Sequence, residues 1–154
     1  MVFLHPGEFF VSLHPSAVTT ILGSCVSVCL WDEKVEIGGM NHFLLPWSAG
    51  SALSSARYGD FAMDQLLRGV LDLGADRKRV RALVFGGACV LEPYRDDQTH
   101  LGARNAAVAL RFLSGQGIPV TGQRVGGRYG YKVRFLTHQG TASLRSLRSQ
   151  SDGK

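Results

Sequence analysis

The sequence has no hydrophobic run long enough to cross a bilayer, and it has only three cysteines and five prolines. Its apolar stretches fall well short of the ~20 residues that a membrane helix needs. Residues 1–10, MVFLHPGEFF, lack a basic start and a small-residue cleavage site, so they do not resemble a signal peptide. Cys25, Cys29 and Cys89 cannot all pair, which favours a reduced, cytoplasmic protein without membrane insertion.

The chain also lacks the motifs of common cofactor sites. The glycine pairs Gly86-Gly87 and Gly126-Gly127 match neither a P-loop nor a dinucleotide fingerprint. A zinc site built from the three cysteines and His42 is conceivable, but the closely spaced Cys or His pairs of such sites are missing. We therefore expect no cofactor and no metal.

The composition is that of a folded chain: 154 residues, 45% hydrophobic and 19% charged, enough for one domain with a real core. The net charge of +5 is uneven, because residues 121–154 carry seven Lys or Arg against one acidic residue. A basic end can mark a nucleic-acid or acidic protein partner. However, Arg124, Lys132 and Arg134 are spread along predicted strands, which is typical of solvated strand faces, so we expect no nucleic-acid partner.

Hydrophobic periodicity predicts an α/β chain in which strands outnumber helices. The predicted strands are residues 2–13 (interrupted at Pro6-Gly7), 17–22, 25–31, 35–45, 81–85, 118–125, 131–137 and 141–147. The predicted helices are residues 55–73, capped by Ser54 or Ser55, and 101–113. Polar loops are predicted at 46–55 and 92–100. We expect one domain over residues 1–147 and a polar tail over 148–154.

Cys25 and His42 lie on the two strands of a predicted hairpin. A tight turn centred between Glu33 and Lys34 would place Cys25 directly opposite His42, with Cβ atoms about 4.5–5.5 Å apart. Glu-Lys is not a favoured two-residue hairpin loop, and a shift of one residue would put the two side chains on opposite faces. The pairing therefore depends on the register of the hairpin.

A cysteine beside a histidine supports nucleophilic catalysis, because the thiolate attacks and the imidazole removes its proton. A third polar group normally orients the imidazole, and Thr19 and Thr20 on the preceding strand can supply a hydroxyl or a carbonyl. The alternative is structural, since free cysteines usually just pack in the core. We assign that structural role to Cys29, which shares a strand face with Cys25.

Four segments together resemble the CheD family of chemoreceptor glutamine deamidases: TTILGSCVSVCL (19–30), GMNHFLLP (39–46), FGGA (85–88) and LGARNA (101–106). The resemblance covers at least residues 16–136. It implies two packed mixed β-sheets flanked by helices, an α/β/β/α arrangement like that of the catalytic domain of cytotoxic necrotizing factor toxins.

The resemblance also implies an activity, that of a protein-glutamine glutaminase. Members of the family hydrolyse the side-chain amides of specific glutamines on methyl-accepting chemotaxis receptors, leaving glutamate. The family's nucleophile matches Cys25, its histidine matches His42, and its threonine, six residues before the cysteine, matches Thr19, with Thr20 beside it. A thioester on Cys25 is the implied intermediate. The backbone at Gly23 and Ser24 is the candidate oxyanion and substrate site.

The implied partners are the cytoplasmic helical region of the receptors and, for some relatives, a CheC-type phosphatase. The chain departs from the family pattern at Gly130-Tyr131, where the family typically has Gly-Arg. If that arginine docks a receptor or a regulator, the choice of partner differs here. Two alternatives stay open: a non-catalytic chemotaxis adaptor that binds receptor or phosphatase, and a related amidase or esterase acting on another protein.

Overall fold

Short runs of β-branched and aromatic residues form most of the regular structure. The computed structural model describes residues 1–48, 55–89 and 99–148. Its elements are β1 (Val2–Phe3), β2 (Phe9–Ser12), β3 (Ala17–Leu22), β4 (Val26–Asp32), β5 (Ile37–Asn41), α1 (Gly59–Asp72), β6 (Arg81–Gly86), α2 (Leu101–Gly115), β7 (Val120–Val125), β8 (Tyr131–Leu136) and β9 (Thr141–Ser146). Strands outnumber helices over these three ranges, and the predicted α/β class is confirmed.

The strands form two mixed sheets. One has four strands in the order β1-β3-β8-β9, and the other has five in the order β2-β5-β4-β6-β7. The pairs β1–β3 and β6–β7 are parallel, and the other neighbours are antiparallel. Pro6-Gly7 interrupts the first extended run as predicted. Because β1 and β2 belong to different sheets, this turn carries the chain from one sheet to the other.

Alternate side chains of β4 face two different apolar cores. Val26, Val28 and Leu30 belong to the core that includes both helices, whereas Cys29 and Trp31 fill the space between the sheets. Helix α1 packs on β2, β4 and β5, and α2 packs on β4 and β6, all strands of the five-stranded sheet. Within the described ranges the layers are therefore helices, five-stranded sheet and four-stranded sheet.

This α/β/β order differs from the α/β/β/α arrangement that the resemblance implied. Ile21 and Arg134 are exposed on the outer face of the four-stranded sheet, and neither described helix covers that face. Amphipathic patterning shows that each helix has an apolar side, but it does not show which sheet that side covers. The resemblance to the toxin catalytic domain stays a prediction.

Both helices form close to where the sequence predicts them, with different N-terminal caps. Helix α1 begins at Gly59 rather than Ser55, because the Ser55 hydroxyl and carbonyl bind the amides of Arg57 and Tyr58 in a turn before the helix. Helix α2 is capped by His100, whose ring Nδ1 accepts a hydrogen bond from the Ala103 amide. The predicted cap Ser54 and most of the predicted loops 46–55 and 92–100 and tail 148–154 lie outside the described residues.

The prediction that Cys25 lies directly opposite His42 is wrong by two residues of register. In the hairpin Cys29 pairs with Met40 and Asp32 with Ile37, so the turn has four residues, 33–36, rather than two. The Asp32 carboxylate binds the Lys34 amide inside the turn. A shift of two residues keeps every side chain on its original face, so Cys25 and His42 remain on the same side of the sheet.

Candidate active site

His42 is fixed in place by the segment between the first two strands. It directly follows β5, and its backbone N–H donates to the Glu8 carbonyl at 3.1 Å. Its own carbonyl accepts from the Gly7 amide at 2.8 Å. The backbone of His42 is therefore held on both sides, which fixes the point from which the ring projects into the space between the sheets.

The imidazole ring is oriented by Thr20. Its Nδ1 lies 2.7 Å from the Thr20 hydroxyl oxygen, and that oxygen lies 2.7 Å from the Leu4 carbonyl. A hydroxyl has one proton to donate, and the Leu4 carbonyl can only accept. The Thr20 hydroxyl therefore donates to Leu4 and accepts from the Nδ1–H of His42. This assigns the tautomer in which Nε2 carries the free lone pair of a base.

Burial keeps this base neutral. His42 is 2% exposed, and its Nε2 has no hydrogen-bond partner among the described residues. Burial lowers the pKa of His42 from 6.5 to about 4, and electrostatic repulsion from His5 adds to this effect. At neutral pH the ring is thus uncharged and its Nε2 is free to accept a proton.

The depressed pKa of His42 makes folding stability fall in acid. Because the folded state takes up this proton only near pH 4 and the unfolded state takes it up near pH 6.5, the contribution is present above 6.5 and is lost as the pH falls through 4. We expect a loss of about 3 kcal/mol between about pH 7 and about pH 4 that His42→Gln removes. Urea unfolding at the two pH values measures it.

A matched control for this effect is His14→Gln, which removes an exposed histidine. The control should keep the full acid loss of the wild type. An identical acid loss in wild type and His42→Gln would contradict a buried, neutral His42.

Cys25 reaches the same space from the beginning of β4. The last rung of the β4–β5 hairpin joins Val26 and Phe43 through two backbone hydrogen bonds of 3.0 and 3.1 Å. Cys25 precedes Val26 and His42 precedes Phe43, so the two side chains are diagonal neighbours on one face. Diagonal Cβ atoms lie about 7–8 Å apart or somewhat closer, within reach of a thiol and an imidazole.

The thiol of Cys25 is protonated at rest. Burial raises its pKa, and a hydrogen bond from its own backbone amide opposes that rise in part. Because the pKa of the thiol is raised and that of His42 is lowered, the resting pair is a neutral thiol and a neutral imidazole. Cys25 is partly exposed, whereas His42 and its Nε2 are buried. A substrate therefore meets the sulfur first.

Three consecutive carbonyls fix the loop that carries the thiol. The carbonyls of Gly23, Ser24 and Cys25 accept hydrogen bonds at 3.0, 3.0 and 2.9 Å. Their donors are the amide of Ala88, the side-chain amide of Asn105 and the amide of Gly87, respectively. The amides of Ser24 and Cys25 meet no backbone or side-chain oxygen in the described part of the chain. Within the described ranges the Ser24 N–H thus has no acceptor, and the Cys25 N–H faces its own sulfur.

Gly86 allows the Cys25 loop to lie against the end of β6. Its φ is 113°, and a Cβ at this position would collide with the carbonyl oxygen of Cys25. We expect Gly86→Ala to lower the free energy of unfolding by about 2–4 kcal/mol, because backbone strain and collision add. Gly126→Ala is the matched control: its φ is 86° but the space around it is open, so strain of about 1–2 kcal/mol is expected alone. Equal losses in urea unfolding would contradict the close contact.

Thr19, the predicted orienting residue, does not reach His42. Its hydroxyl lies 3.7 Å from the sulfur of Met1, whereas Thr20 holds the imidazole. Adjacent strand residues face opposite sides, and Thr20 faces the buried side together with Val18 and Leu22. The sequence did not separate the two threonines because apolar residues occur on both faces of β3.

We assign no catalytic role to the other two cysteines. Cys29 is fully buried, and burial raises its pKa well above the ordinary value, as suits the core residue that the sequence predicted. Cys89 is buried beyond β6, and no two of the three cysteines form a disulfide. The described residues contain no group of three or more His, Cys, Asp or Glu side chains placed to hold a metal ion.

Two contributors to the site were not identified from the sequence. One is the Leu4 carbonyl, which becomes visible only when β1 pairs with β3. The other is Asn105, a fully buried residue of α2 that donates to the carbonyls of Ser24 and Leu44. The available signal for Asn105 was a polar side chain on the apolar face of a predicted helix.

The chain is similar in sequence to one known family and to several of its members. The family model described as CheD, chemotactic sensory transduction, matches residues 44–146. The "Probable chemoreceptor glutamine deamidase CheD" of Rhodospirillum rubrum is 42% identical over 147 residues, covering 96% of this chain and 82% of that protein. The "Probable chemoreceptor glutamine deamidase CheD 1" of Anaeromyxobacter dehalogenans is 44% identical over 146 residues, covering 95% and 84%. The protein of that name from Ruegeria sp. is 46% identical over 137 residues, covering 88% and 71%.

The match to the Rhodospirillum protein is long enough to include the stretch from Cys25 to His42. In the three described ranges, neither helix is long and apolar enough to span a membrane. The family that the sequence motifs predicted is thus confirmed by the family model and by relatives matched over most of their length. The chain belongs to the CheD family.

Proposed function

We propose that this protein is a chemoreceptor glutamine deamidase in which Cys25 is the nucleophile and His42 is the general base and acid. One observation carries the proposal: a buried, neutral imidazole has its tautomer set by Thr20 and shares a sheet face with a partly exposed thiol. The names of the relatives supply the substrate class, a glutamine of a chemoreceptor. We place the activity in the cytoplasm, on the receptor's helical region.

In the first step, the Cys25 sulfur attacks the carbon of the glutamine carboxamide. Nε2 of His42 takes the thiol proton as the C–S bond forms, and the carbonyl oxygen becomes an oxyanion. Concerted transfer is needed because both groups are neutral at rest. The imidazolium then gives its proton to the amide nitrogen, the C–N bond breaks and ammonia leaves. A thioester remains on Cys25.

In the second step, water completes the hydrolysis. Nε2, neutral again, takes a proton from the water as its oxygen attacks the thioester carbon. The C–S bond breaks, the sulfur leaves as a thiolate that recovers the proton from His42, and the side chain is now glutamate. Water and a carboxamide have become a carboxylic acid and ammonia, and no cofactor is consumed.

The backbone amides of Ser24 and Cys25 are the proposed oxyanion donors. The adjoining carbonyls of Gly23, Ser24 and Cys25 are already bound to other parts of the chain, which limits rotation of these peptide units. Fixed N–H groups stabilise developing negative charge without reorganising during the reaction. Gly23 forms part of the turn before Ser24 and Cys25, and we assign it no contact with the substrate.

A neutral orienting group suits this mechanism. A carboxylate beside Nδ1 would raise the pKa of the imidazole and hold a proton on it at rest. The Thr20 hydroxyl instead fixes the ring without adding charge. The base stays unprotonated over the whole neutral range, ready for the thiol proton.

The experiment is peptide mapping of receptor cytoplasmic fragments from the same organism after incubation with the protein. The expected result is conversion of particular glutamines to glutamate, with one ammonia released for each. Absence of conversion on every receptor of that organism would contradict the proposal. It would instead favour a non-catalytic adaptor if the protein still bound the fragments, or hydrolysis of another protein if it did not.

A further inference from the structure

The side chain of Asn105 takes the place of a missing rung between the two segments that carry Cys25 and His42. The backbone pairing of β4 with β5 ends at Val26 and Phe43. Beyond this rung no backbone hydrogen bond joins the two segments in the described part of the chain, and the Leu44 amide donates to the Arg57 carbonyl instead. Their carbonyls at Ser24 and Leu44 are bound instead by the Asn105 Nδ2, at 3.0 and 2.9 Å.

We propose that Asn105 is a positioning residue for the reaction, and that its amide sets the separation between the nucleophile and its base. The inference rests on the proposed function of Cys25 and His42. One NH2 group donates both of its hydrogens, one to the residue before Cys25 and the other to the second residue after His42. Any shift of one segment relative to the other must break or stretch one of these bonds.

The surroundings of Asn105 show why this side chain is constrained. The residue is 0% exposed, and it belongs to α2, which packs on β4 and β6. Its Oδ1 is buried without a hydrogen-bond partner among the described residues. An orphaned buried acceptor costs stability. This cost is present at the position where the Asn105 Nδ2 binds both the Cys25 segment and the His42 segment.

Gly102, one helical turn earlier, brings α2 close enough for this contact. A Cβ at Gly102 would collide with the backbone of Gly87, whose amide binds the Cys25 carbonyl. The helix, the end of β6 and the Cys25 loop therefore form one packed unit. Asn105 extends that unit to the His42 segment through Leu44.

Two variants of Asn105 distinguish the effect of losing its hydrogen-bond donor from the effect of losing its side-chain volume. Asn105→Ala removes both, and Asn105→Asp keeps the shape but replaces the NH2 donor by an acceptor that faces two carbonyls. We expect either to lower kcat about 10- to 100-fold with KM within about twofold, because a misplaced nucleophile slows chemistry more than binding. Asp32→Ala is the control: Asp32 is also fully buried, but it lies at the opposite end of β4.

A second measurement does not depend on catalysis. Amide hydrogen exchange of Val26 and Phe43 reports opening of the last rung beside the two residues. We expect both Asn105 variants to accelerate exchange at these amides by about tenfold more than at Leu30, further along β4, since only the end of the hairpin loses its support. Asp32→Ala should not produce this pattern.

The two measurements distinguish failure of the positioning role of Asn105 from failure of the proposed function. Unchanged relative exchange at Val26 and Phe43 would overturn the positioning role, whether or not the wild type deamidates receptors. A fall in kcat no larger than that of Asp32→Ala at equal loss of stability would also overturn it. Wild-type protein without deamidase activity, with accelerated exchange in the variants, would overturn the proposed function and leave the structural role of Asn105 supported.

Discussion

Replacing Cys25 by alanine is expected to lower the rate of receptor deamidation by about 10⁵-fold or more. Without the sulfur there is no thioester, and the free His42 base can activate only water on an unactivated amide. The measurement is single-turnover conversion of glutamine to glutamate in a receptor fragment, with excess enzyme and long incubation. Cys25 is partly exposed, so the alanine variant should fold and still bind the fragment.

Cys29→Ala is the matched control for this loss. Cys29 faces the same side of the same strand, but it is fully buried in the core between the sheets. Its replacement leaves a small cavity and should lower the free energy of unfolding by about 1–2 kcal/mol. At temperatures where the variant is still folded, kcat should be unchanged. Deamidation that survives in Cys25→Ala, or is lost equally in Cys29→Ala, would contradict the assignment of the nucleophile.

Replacing Thr20 by valine is expected to lower kcat by about 100-fold, the order of magnitude of a lost general base. Valine has the same shape but cannot accept from Nδ1–H or donate to the Leu4 carbonyl. The imidazole then loses its fixed orientation and can adopt the tautomer with a proton on Nε2, which accepts no proton from the thiol. Steady-state deamidation of a receptor fragment measures the effect.

The neighbouring residue provides an isosteric control. Thr19→Val changes the same atoms one position away, on the opposite face of β3, where the Met1 sulfur is the hydroxyl's one partner among the described residues. It should leave kcat within about twofold, and Thr20→Ser, which keeps the hydroxyl, should retain most of the activity. Equal losses in Thr19→Val and Thr20→Val would show that the threonines act through strand stability rather than through His42.

Local patterning was sufficient to predict the strands and helices. The run at residues 17–22 became β3 with the same bounds, and alternation correctly placed Val26, Val28 and Leu30 on one face of β4. Helix α2 formed from its predicted first residue, Leu101, to two residues beyond the predicted end. These features depend on neighbours within one turn or one strand, so the sequence contains them directly.

The turn of the hairpin was not predictable to the residue. The sequence DEKVE suits either a two- or a four-residue loop by composition. The contacts around the four-residue loop come from far along the chain, because the buried Asp32 carboxylate binds the Asp76 amide and Arg79. The prediction nevertheless placed Cys25 and His42 on the correct common face, because an error of two residues preserves the alternation of a strand.

Contacts between distant segments account for the rest. Thr20 and Thr19 differ only in which of them faces the other sheet, and that depends on pairing of β3 with β8, more than a hundred residues away. Asn105 reaches Ser24 across a sequence separation of 81 residues. Hydrophobic periodicity and secondary-structure propensity give no information on such contacts. The sequence therefore predicts Cys25 and His42 as a pair, but not the residues that hold them in position.

Trapping the thioester on Cys25 is the decisive test of the proposed hydrolysis. Wild-type protein and a receptor cytoplasmic fragment are mixed, quenched in acid within the first turnover and analysed by intact mass and peptide mapping. We expect a covalent adduct of the two chains, lighter than their sum by one ammonia, attached at Cys25 and absent with Cys25→Ala. Deamidation by the wild type with no adduct under any quench time, or an adduct mapped to Cys29 or Cys89, would contradict it.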